Sequence, residues 1–307
     1  MDALGRPDRS LGEVTAVIAS GDRMAKARVF SPLIALVPIT LLDFVLFVLP
    51  MIVMGVVSVL VIREFDVTPQ LTAENYLFFL SNPLYLKVLG KSVLMALATT
   101  AICIALSFPF AAFLVRLPRA VQRTMLVLVI LPFWTSYLLR VYAWMTVLGE
   151  RGLINRGLMD LGIVDSPIRF LLYNDYSVVL VAVYLYIPYS ALALYTNLDR
   201  IDMSLIRAAM DLGARPVQVL VHVLLPLMLP GIFASFIFVF IPKLGEYVTP
   251  TIIGGAHGLM VVNVIVSQMQ ALRFGIGSAM VFVLVGLILL LVLALHKAAR
   301  LEKIYGF

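Results

Sequence analysis

The chain has 307 residues, of which 62% are hydrophobic and 13% are charged, and its mean hydropathy is +1.06. Soluble domains average about 25% charged residues, so this composition excludes a soluble globular protein and predicts an integral membrane protein. The net charge of +6 would suit a nucleic-acid partner. However, the positive residues sort by loop, so we assign them to membrane topology and expect no nucleic acid.

The chain begins with a polar, basic segment, residues 1–32, followed by a long apolar run. That run is too long for a signal-peptide core and no small-residue cleavage site follows it, so we expect an uncleaved cytoplasmic tail. Six apolar segments each predict one membrane helix. They lie at 33–62, 88–115, 121–148, 177–198, 226–252 and 278–296.

The predicted fold is therefore an all-α integral membrane protein with six transmembrane helices. Four of the six segments contain a proline that should bend or break its helix: Pro109, Pro132, Pro188 and Pro242. We predict a first helix with its outer loop at 33–87, a helical core at 88–300 and a short cytoplasmic end at 301–307.

Lysine and arginine are concentrated in the tail, in loops 116–123 and 199–225, and at the C-terminal end. The positive-inside rule then places both termini and loop 199–225 in the cytoplasm. Loops 63–87 and 149–176 should face outward, and their short amphipathic pieces predict ordered caps.

Loop 199–225 contains the pattern of a short helix. Ser204 is a candidate N-cap, and Gly213 suits the left-handed C-terminal position. Pro216 fits the first turn of a following helix, whereas Pro226 and Pro230 should mark re-entry into the membrane. Four residues at helical spacing form one face of this helix: Leu205, Ala208, Ala209 and Leu212.

The alanines on that face let another backbone approach closely, which favours docking of a partner subunit. The alternative is a helix that lies on the lipid surface. Against this alternative, the polar face is not rich in lysine and the apolar face has no Trp or Phe.

The pattern xAAxxxGA…LP in this loop resembles the EAA loop of binding-protein-dependent ABC import permeases. In that family the loop forms the coupling helix, which sits in a groove of the ATP-binding subunit. The residues that this resemblance assigns to ATPase coupling are Arg207, Ala208, Ala209, Asp211, Leu212, Gly213 and Pro226. Arg207 stands where the family usually has glutamate, so its polar contacts with a partner should differ.

Three further stretches, 74–93, 131–155 and 244–255, resemble the spermidine/putrescine permease branch. The resemblance implies a type I ABC importer permease fold in the bacterial cytoplasmic (inner) membrane. It also implies a second permease subunit, two ATP-binding subunits that hold ATP and Mg, an extracytoplasmic solute-binding protein and surrounding lipid. No cofactor is expected on this chain.

Ionisable side chains inside membrane segments are costly, and each is therefore a functional candidate. Asp43, Arg140, Lys243 and Glu246 are of this kind. Each also has a structural interpretation: Lys243 and Glu246 would pair at i,i+3. Asp43 would bond to a neighbouring helix, and Arg140 would extend to the interface.

The third segment carries Trp134, Tyr137, Val141 and Trp144 at helical spacing. Aromatic faces with a carboxylate would bind a polyamine through cation–π and charge contacts, although packing or an interface belt would also explain such a stripe. The candidate pathway residues, which share aromatic or acidic side chains, are Asp43, Trp134, Tyr137, Trp144, Tyr184, Tyr189 and Glu246.

The expected cargo is a small cationic amine such as putrescine or spermidine. Arg140 and Lys243 would repel a dication if they faced the pathway, so an opine or amino-acid-like cargo is the alternative. A secondary transporter is a further alternative, but no internal repeat is evident.

An intramembrane enzyme is disfavoured, because no nucleophile, acid pair or metal cluster is suitably spaced. The sequence LGKS at 89–92 resembles the end of a phosphate-binding loop, but Tyr85 replaces its first glycine. We therefore predict no catalytic site, no metal site and no ATP binding on this chain, with ATP hydrolysis by a partner.

Overall fold

A computed structural model describes residues 37–63, 66–256 and 258–304. The predicted tail, 1–32, lies outside the described residues. The chain divides into two units, Met1–Val57 and Ser58–Phe307. The domain boundaries proposed above remain predictions.

The first apolar segment forms helix α1, Val37–Ser58, whose 22 residues are long enough to cross a membrane. Phe44–Val48 within it form a π-helical turn, in which the Leu49 N–H bonds to the Phe44 carbonyl. Pro50 follows this turn and has no N–H to donate, so a widened turn accommodates the proline without ending the helix. Asp43 lies just before this turn and is exposed.

Four other helices are long and apolar enough to cross a membrane. They are α3 (Pro83–Leu114), α7 (Asp175–Leu198), α9 (Pro216–Leu244, with a π-helical turn at Leu220–Leu224) and α12 (Phe274–Ile304). The most buried of them is α7, which packs against α3 and α9. Small polar residues stabilise these contacts, because hydrogen bonds between helices replace water in an apolar medium. For example, the Ser235 hydroxyl donates to Ser190 at 2.7 Å.

The predicted span at 121–148 is not one straight helix, and it is broken near Pro132, as predicted. The structure has helix α4 (Arg119–Ile130), a 3₁₀ turn (Leu131–Trp134), helix α5 (Tyr137–Leu148) and helix α6 (Leu153–Asp160). The two halves, Arg119–Trp134 and Tyr137–Asp160, are bent by 90°. Pro132 lies in the 3₁₀ turn, and Thr135 and Ser136 adopt extended backbone angles that end the first half. The described residues thus contain six spans if this bent pair counts as one, as predicted.

The predicted span at 226–252 was also misplaced. Helix α9 already begins at Pro216 and ends at Leu244, and a separate helix α10 covers Val248–Ile253. Pro226 and Pro230 both lie inside α9, so neither begins the helix, and their predicted place at the entry into the membrane stays a prediction. The π-helical turn directly before Leu225 widens the helix just ahead of Pro226, which explains why this proline does not break it.

The two loops that we predict to face outward contain regular elements among their described residues, and these elements are not all helical. An antiparallel hairpin joins β1 (Leu60–Arg63) to β2 (Asp66–Leu71). Helices α2 (Glu74–Ser81) and α11 (Val261–Gln270) and a 3₁₀ turn at Arg169–Leu171 complete the described elements, besides the loop helix given below. The β-branched residues of the VLVI run, which favour strands, were read as the end of the first span.

Helices α9 and α7 lie close together at Gly231 of α9. A Cβ at this position would lie 2.6 Å from the Cβ of Asn197, which is far inside contact distance. In α12, by contrast, the Cβ position of Gly286 has no atom of the described residues within 4 Å.

We predict that Gly231→Ala destabilises the protein by about 1–3 kcal/mol because the methyl group forces the two helices apart. Gly286→Ala is the matched control, and it should be neutral or slightly stabilising because alanine favours helix. Thermal unfolding of both variants in detergent checks this. Equal melting temperatures would contradict the close packing of α7 and α9.

Candidate functional site

The loop after α7 contains one short helix, α8, at Met203–Asp211. Its N-cap is Asp202 and not Ser204, because the Asp202 carboxylate accepts a hydrogen bond from the Ser204 N–H at 2.8 Å. A carboxylate also interacts favourably with the positive end of a helix dipole, which a hydroxyl does not. The bond to the Ser204 N–H lowers the pKa of Asp202, so the cap stays ionised at neutral pH.

Gly213 ends α8 as the sequence predicts. Its φ is +87°, in the left-handed region that glycine adopts readily. The N–H of Gly213 bonds to the Met210 carbonyl at 2.9 Å, and the N–H of Ala214 bonds to the Ala209 carbonyl at 3.1 Å. Pro216 then opens α9, also as predicted. The loop is therefore shorter than the predicted 199–225, since it ends at Arg215, and Pro226 is not part of it.

Helix α8 presents apolar side chains that the described residues leave exposed. Leu205 is 49% exposed, Met210 47% and Leu212 89%, and none of the residues of α8 is buried. Just before and at its start, Ile201 and Met203 pack against a buried cluster formed by α3, α7 and α9. The helix is thus anchored at one end and uncovered along its length. The side chains of Arg207 and Asp211 are also exposed.

A polar cluster near this loop was missed by sequence analysis. Arg119, at the start of α4, donates from Nη1 to the Asp199 carboxylate at 2.6 Å and to Gln122 Oε1 at 3.1 Å. Tyr195 donates to the same Gln122 oxygen at 2.8 Å. The Gln122 amide group also donates to the Leu117 carbonyl at 2.8 Å. These bonds tie the start of α4 to the end of α7, directly ahead of α8. Sequence analysis used Arg119 only as a positive charge that indicates membrane topology, because its partner Asp199 lies 80 residues away.

Lys243 and Glu246 form the ion pair that their spacing suggested. Lys243 Nζ lies 2.8 Å from Glu246 Oε2, and the two side chains are 0% and 5% exposed. The other carboxylate oxygen, Oε1, accepts hydrogen bonds from the Tyr137 and Thr249 hydroxyls. We call these four residues the buried network; it joins α5, the end of α9 and α10. Both oxygens of Glu246 therefore already have partners within the protein.

The aromatic candidates do not form one stripe. Trp134 lies before the bend, in the 3₁₀ turn, and is 81% exposed. Only Tyr137, Val141 and Trp144 share helix α5, because the helical spacing that links them to Trp134 assumed a straight helix. Val141 is fully buried.

The structure instead brings α5 residues against α7. The rings of Trp144 and Tyr184 are 5.2 Å apart, centre to centre, and tilted by 62°. Phe133 contacts Tyr189 edge-on at 4.6 Å. Asp43 belongs to the other unit of the chain, and its predicted pathway role, like those of the other candidates, stays a prediction.

A family model described as "Binding-protein-dependent transport system inner membrane component" matches residues 27–300 of the chain. The chain is 37% identical over 231 residues to the spermidine/putrescine transport system permease protein PotB of Escherichia coli (strain K12). That match covers 75% of this chain and 83% of the relative.

Two solved structures share the fold at 15% identity. One is a bacterial ABC transporter involved in the import of the acidic polysaccharide alginate, with a TM-score of 0.69 over 91% of this chain and 98% of that chain. The other is a bacterial alginate ABC transporter in complex with an alginate pentasaccharide-bound periplasmic protein, with a TM-score of 0.66 over 90% and 96%. These likenesses confirm the predicted type I permease fold.

We predict that Glu246→Gln lowers the free energy of unfolding by about 3–5 kcal/mol, because it leaves the buried Lys243 without a counter-charge. Lys243→Met combined with Glu246→Gln should recover most of this loss, since no buried charge is then left unpaired. Unfolding of the two single variants and the double variant in detergent measures the coupling. Additive losses would contradict the pairing. Loss of transport with unchanged stability would assign Glu246 to the cargo instead.

Proposed function

This chain belongs to the family of binding-protein-dependent transport system inner membrane components, and on that premise we propose that it translocates a small cationic amine of the polyamine class. It is a multi-pass protein of the bacterial inner membrane and a permease subunit of an ABC importer. The cargo proposal rests chiefly on the 37% identity to a spermidine/putrescine permease.

The buried network supports a cationic cargo. In the sequence Lys243 seemed to argue against a dication, but in the structure the Glu246 carboxylate neutralises it at 2.8 Å. Trp144, Tyr184 and Tyr189 offer aromatic faces on α5 and α7 to which an amine would bind weakly. Weak, repeated contacts suit passage better than one deep anionic site.

An opine or amino-acid-like cargo is the second candidate. It is favoured by Arg140, which lies in α5 and forms none of the ion pairs among the described residues. A carboxylate on the cargo would pair with this guanidinium, whereas a polyamine would be repelled by it.

The assembly that we propose has this chain, a second permease, two ATP-binding subunits and an extracytoplasmic solute-binding protein. The solute-binding partner is supported by the related transporter that was solved with a periplasmic protein. ATP and Mg would be held by the ATP-binding subunits. Helix α8, with its exposed Leu205 and Leu212, is the surface that we assign to one of them, and the cytoplasmic position of this loop is part of the proposal.

In this mechanism, closure of the ATP-binding subunits moves α8. Gly213 and the short loop to Pro216 connect α8 to α9, and the Arg119–Asp199 pair connects the preceding residues to α4. Movement of α8 would therefore reach both the unbent helix α9 and the bent pair α4–α5. The expected result is alternation between outward-facing and inward-facing states.

The deciding experiment measures ATP hydrolysis by the complex purified through a tag on this chain, with its genomic neighbours co-expressed. The cognate binding protein is added with putrescine, spermidine, amino acids and opine-like compounds in turn. Stimulation by the polyamines supports the proposal, and stimulation only by carboxylate-bearing amines supports the second candidate. If no ATPase co-purifies, the secondary-transporter alternative replaces both.

We predict that Gly213→Pro abolishes uptake while membrane insertion is unchanged, because proline fixes φ near −65° and cannot adopt the observed +87°. Gly213→Asn is the matched control, since asparagine tolerates the left-handed region, and it should keep most of the uptake. Radiolabelled putrescine uptake in cells, with the membrane level of each variant, measures both. Equal loss of uptake in the two variants would show that the left-handed backbone conformation at this position is not the reason for the loss.

Ala209→Glu should likewise abolish uptake, because a carboxylate replaces the small side chain that a docked subunit would contact. The ATP-binding subunit should no longer co-purify. Normal co-purification and uptake would remove α8 from the docking surface.

A further inference from the structure

Arg140 lines a cavity of about 200 Å³ between the bent pair and α7. The cavity exists because the chain turns by 90° between Trp134 and Tyr137, which separates α4 and its 3₁₀ turn from α5. Apart from Arg140 its lining is apolar or aromatic: Leu128, Val129, Pro132, Phe133, Tyr184, Ile187 and Pro188. We call this space the Arg140 cavity.

The guanidinium of Arg140 has a ring contact but lacks a hydrogen-bond acceptor for its Nε among the described residues. One of its faces is covered by the Phe133 ring, with 4.9 Å between Cζ and the ring centre. The Nε atom is shielded from solvent, yet it makes no hydrogen bond to any of the described residues. An arginine side chain is always protonated in proteins, so a buried N–H without an acceptor is costly.

Lys243 and Arg140 differ in whether a carboxylate lies beside them. Both cations lie in membrane-spanning segments, but Lys243 is fully buried against Glu246, and no carboxylate of the described residues pairs with Arg140. Isolated charges in an apolar medium are retained only where they pair with something. The missing partner of Arg140 must therefore come from outside the described part of the chain.

We propose that the Arg140 cavity binds an oxyanion, a carboxylate or a phosphate, carried by a small molecule or by a lipid headgroup. Nε and a terminal nitrogen of a guanidinium present two N–H donors side by side, which match the two oxygens of such a group. Stacking on Phe133 covers one face of the guanidinium and fixes its plane.

The remaining walls define the rest of the ligand. Leu128, Ile187 and Tyr184 are apolar or aromatic, so the oxyanion should be attached to a short apolar body. The volume is below the roughly 300–1,000 Å³ of pockets that enclose drug-sized ligands, so a small solute or the end of a larger molecule fits. The inference does not depend on the cargo, because it concerns binding and not transport.

The test uses the full-length chain, purified with its co-purifying subunits in a maltoside detergent, which carries no phosphate group, and only the lipid arm uses nanodiscs. Succinate and inorganic phosphate are titrated by calorimetry as the small-molecule probes. In the lipid arm, the discs contain phosphatidylglycerol, and the anionic lipid that stays bound after extraction is counted by native mass spectrometry.

Arg140→Gln should weaken binding about tenfold or more in whichever arm shows it, because the charged donor pair is lost. Arg169→Gln is the matched control with the same charge change, since the Arg169 side chain is 85% exposed and pairs with Glu150 at 3.3 Å. It should bind like the unmodified protein. Binding of succinate or phosphate identifies a small-molecule source, and retention of phosphatidylglycerol alone identifies a lipid.

Ile187→Phe keeps Arg140 and fills the cavity from the opposite wall, so it should also weaken binding and serves if Arg140→Gln does not fold. The proposal is overturned if the unmodified protein binds neither probe class. It is also overturned if Arg140→Gln, or Ile187→Phe in its place, binds as well as Arg169→Gln does. Because uptake is not measured, these outcomes are separate from the fate of the polyamine proposal.

Discussion

The constraint on which this structure depends is that backbone N–H and C=O groups in a membrane must be paired inside the protein. The chain has 16 prolines, and each one within a helix removes a donor. The helices respond in different ways. Pro50 and Pro226 each follow a widened π-helical turn. Pro132 instead lies in a 3₁₀ turn, after which the chain bends by 90°. By contrast, Pro109, Pro188 and Pro242, which were predicted to bend or break their helices, lie within helices that continue past them.

Side-chain polarity is governed by the same constraint. The polar groups between the long helices are small or mutually paired, as with the Ser190–Ser235 hydrogen bond and the Lys243–Glu246 ion pair. Tyr137 brings α5 into the buried network through Glu246. The bent pair is therefore held at two places, at this network and at the Arg119–Asp199 pair near α8. Any motion that starts at α8 acts on helices whose positions are fixed by specific polar contacts.

Much of this fold could be predicted from the sequence, and each wrong prediction has a physical reason. Composition and apolar runs gave the membrane class and the number of spans, and glycine chemistry gave the end of α8 at Gly213. Helical spacing wrongly placed Trp134 on the same helix face as Tyr137, because a periodic pattern does not show where a helix bends. Sequence analysis named Ser204 as the N-cap, whereas the structure has Asp202; both residue types are good caps, and only the geometry shows which one accepts the bond.

Sequence analysis could not predict contacts between residues that are far apart along the chain. Glu246 and Tyr137 are 109 positions apart, and no local pattern announces such a pairing. The i,i+3 spacing of Lys243 and Glu246 was enough to suggest their pairing, since that interaction is local. That Arg140 has no ion-pair partner among the described residues is harder still to predict, because such a group can be recognised only once its surroundings are known.

The buried network has an electrical consequence. A unit charge that crosses the membrane exchanges about 2.3 kcal/mol with a potential of 100 mV. Lys243 and Glu246 together carry no net charge, and their charged atoms are 2.8 Å apart. When the helices that hold them shift, the transmembrane field does little work on the pair. This pair would then contribute little to the voltage dependence of transport, whereas an interior-negative potential would assist the entry of a dicationic cargo.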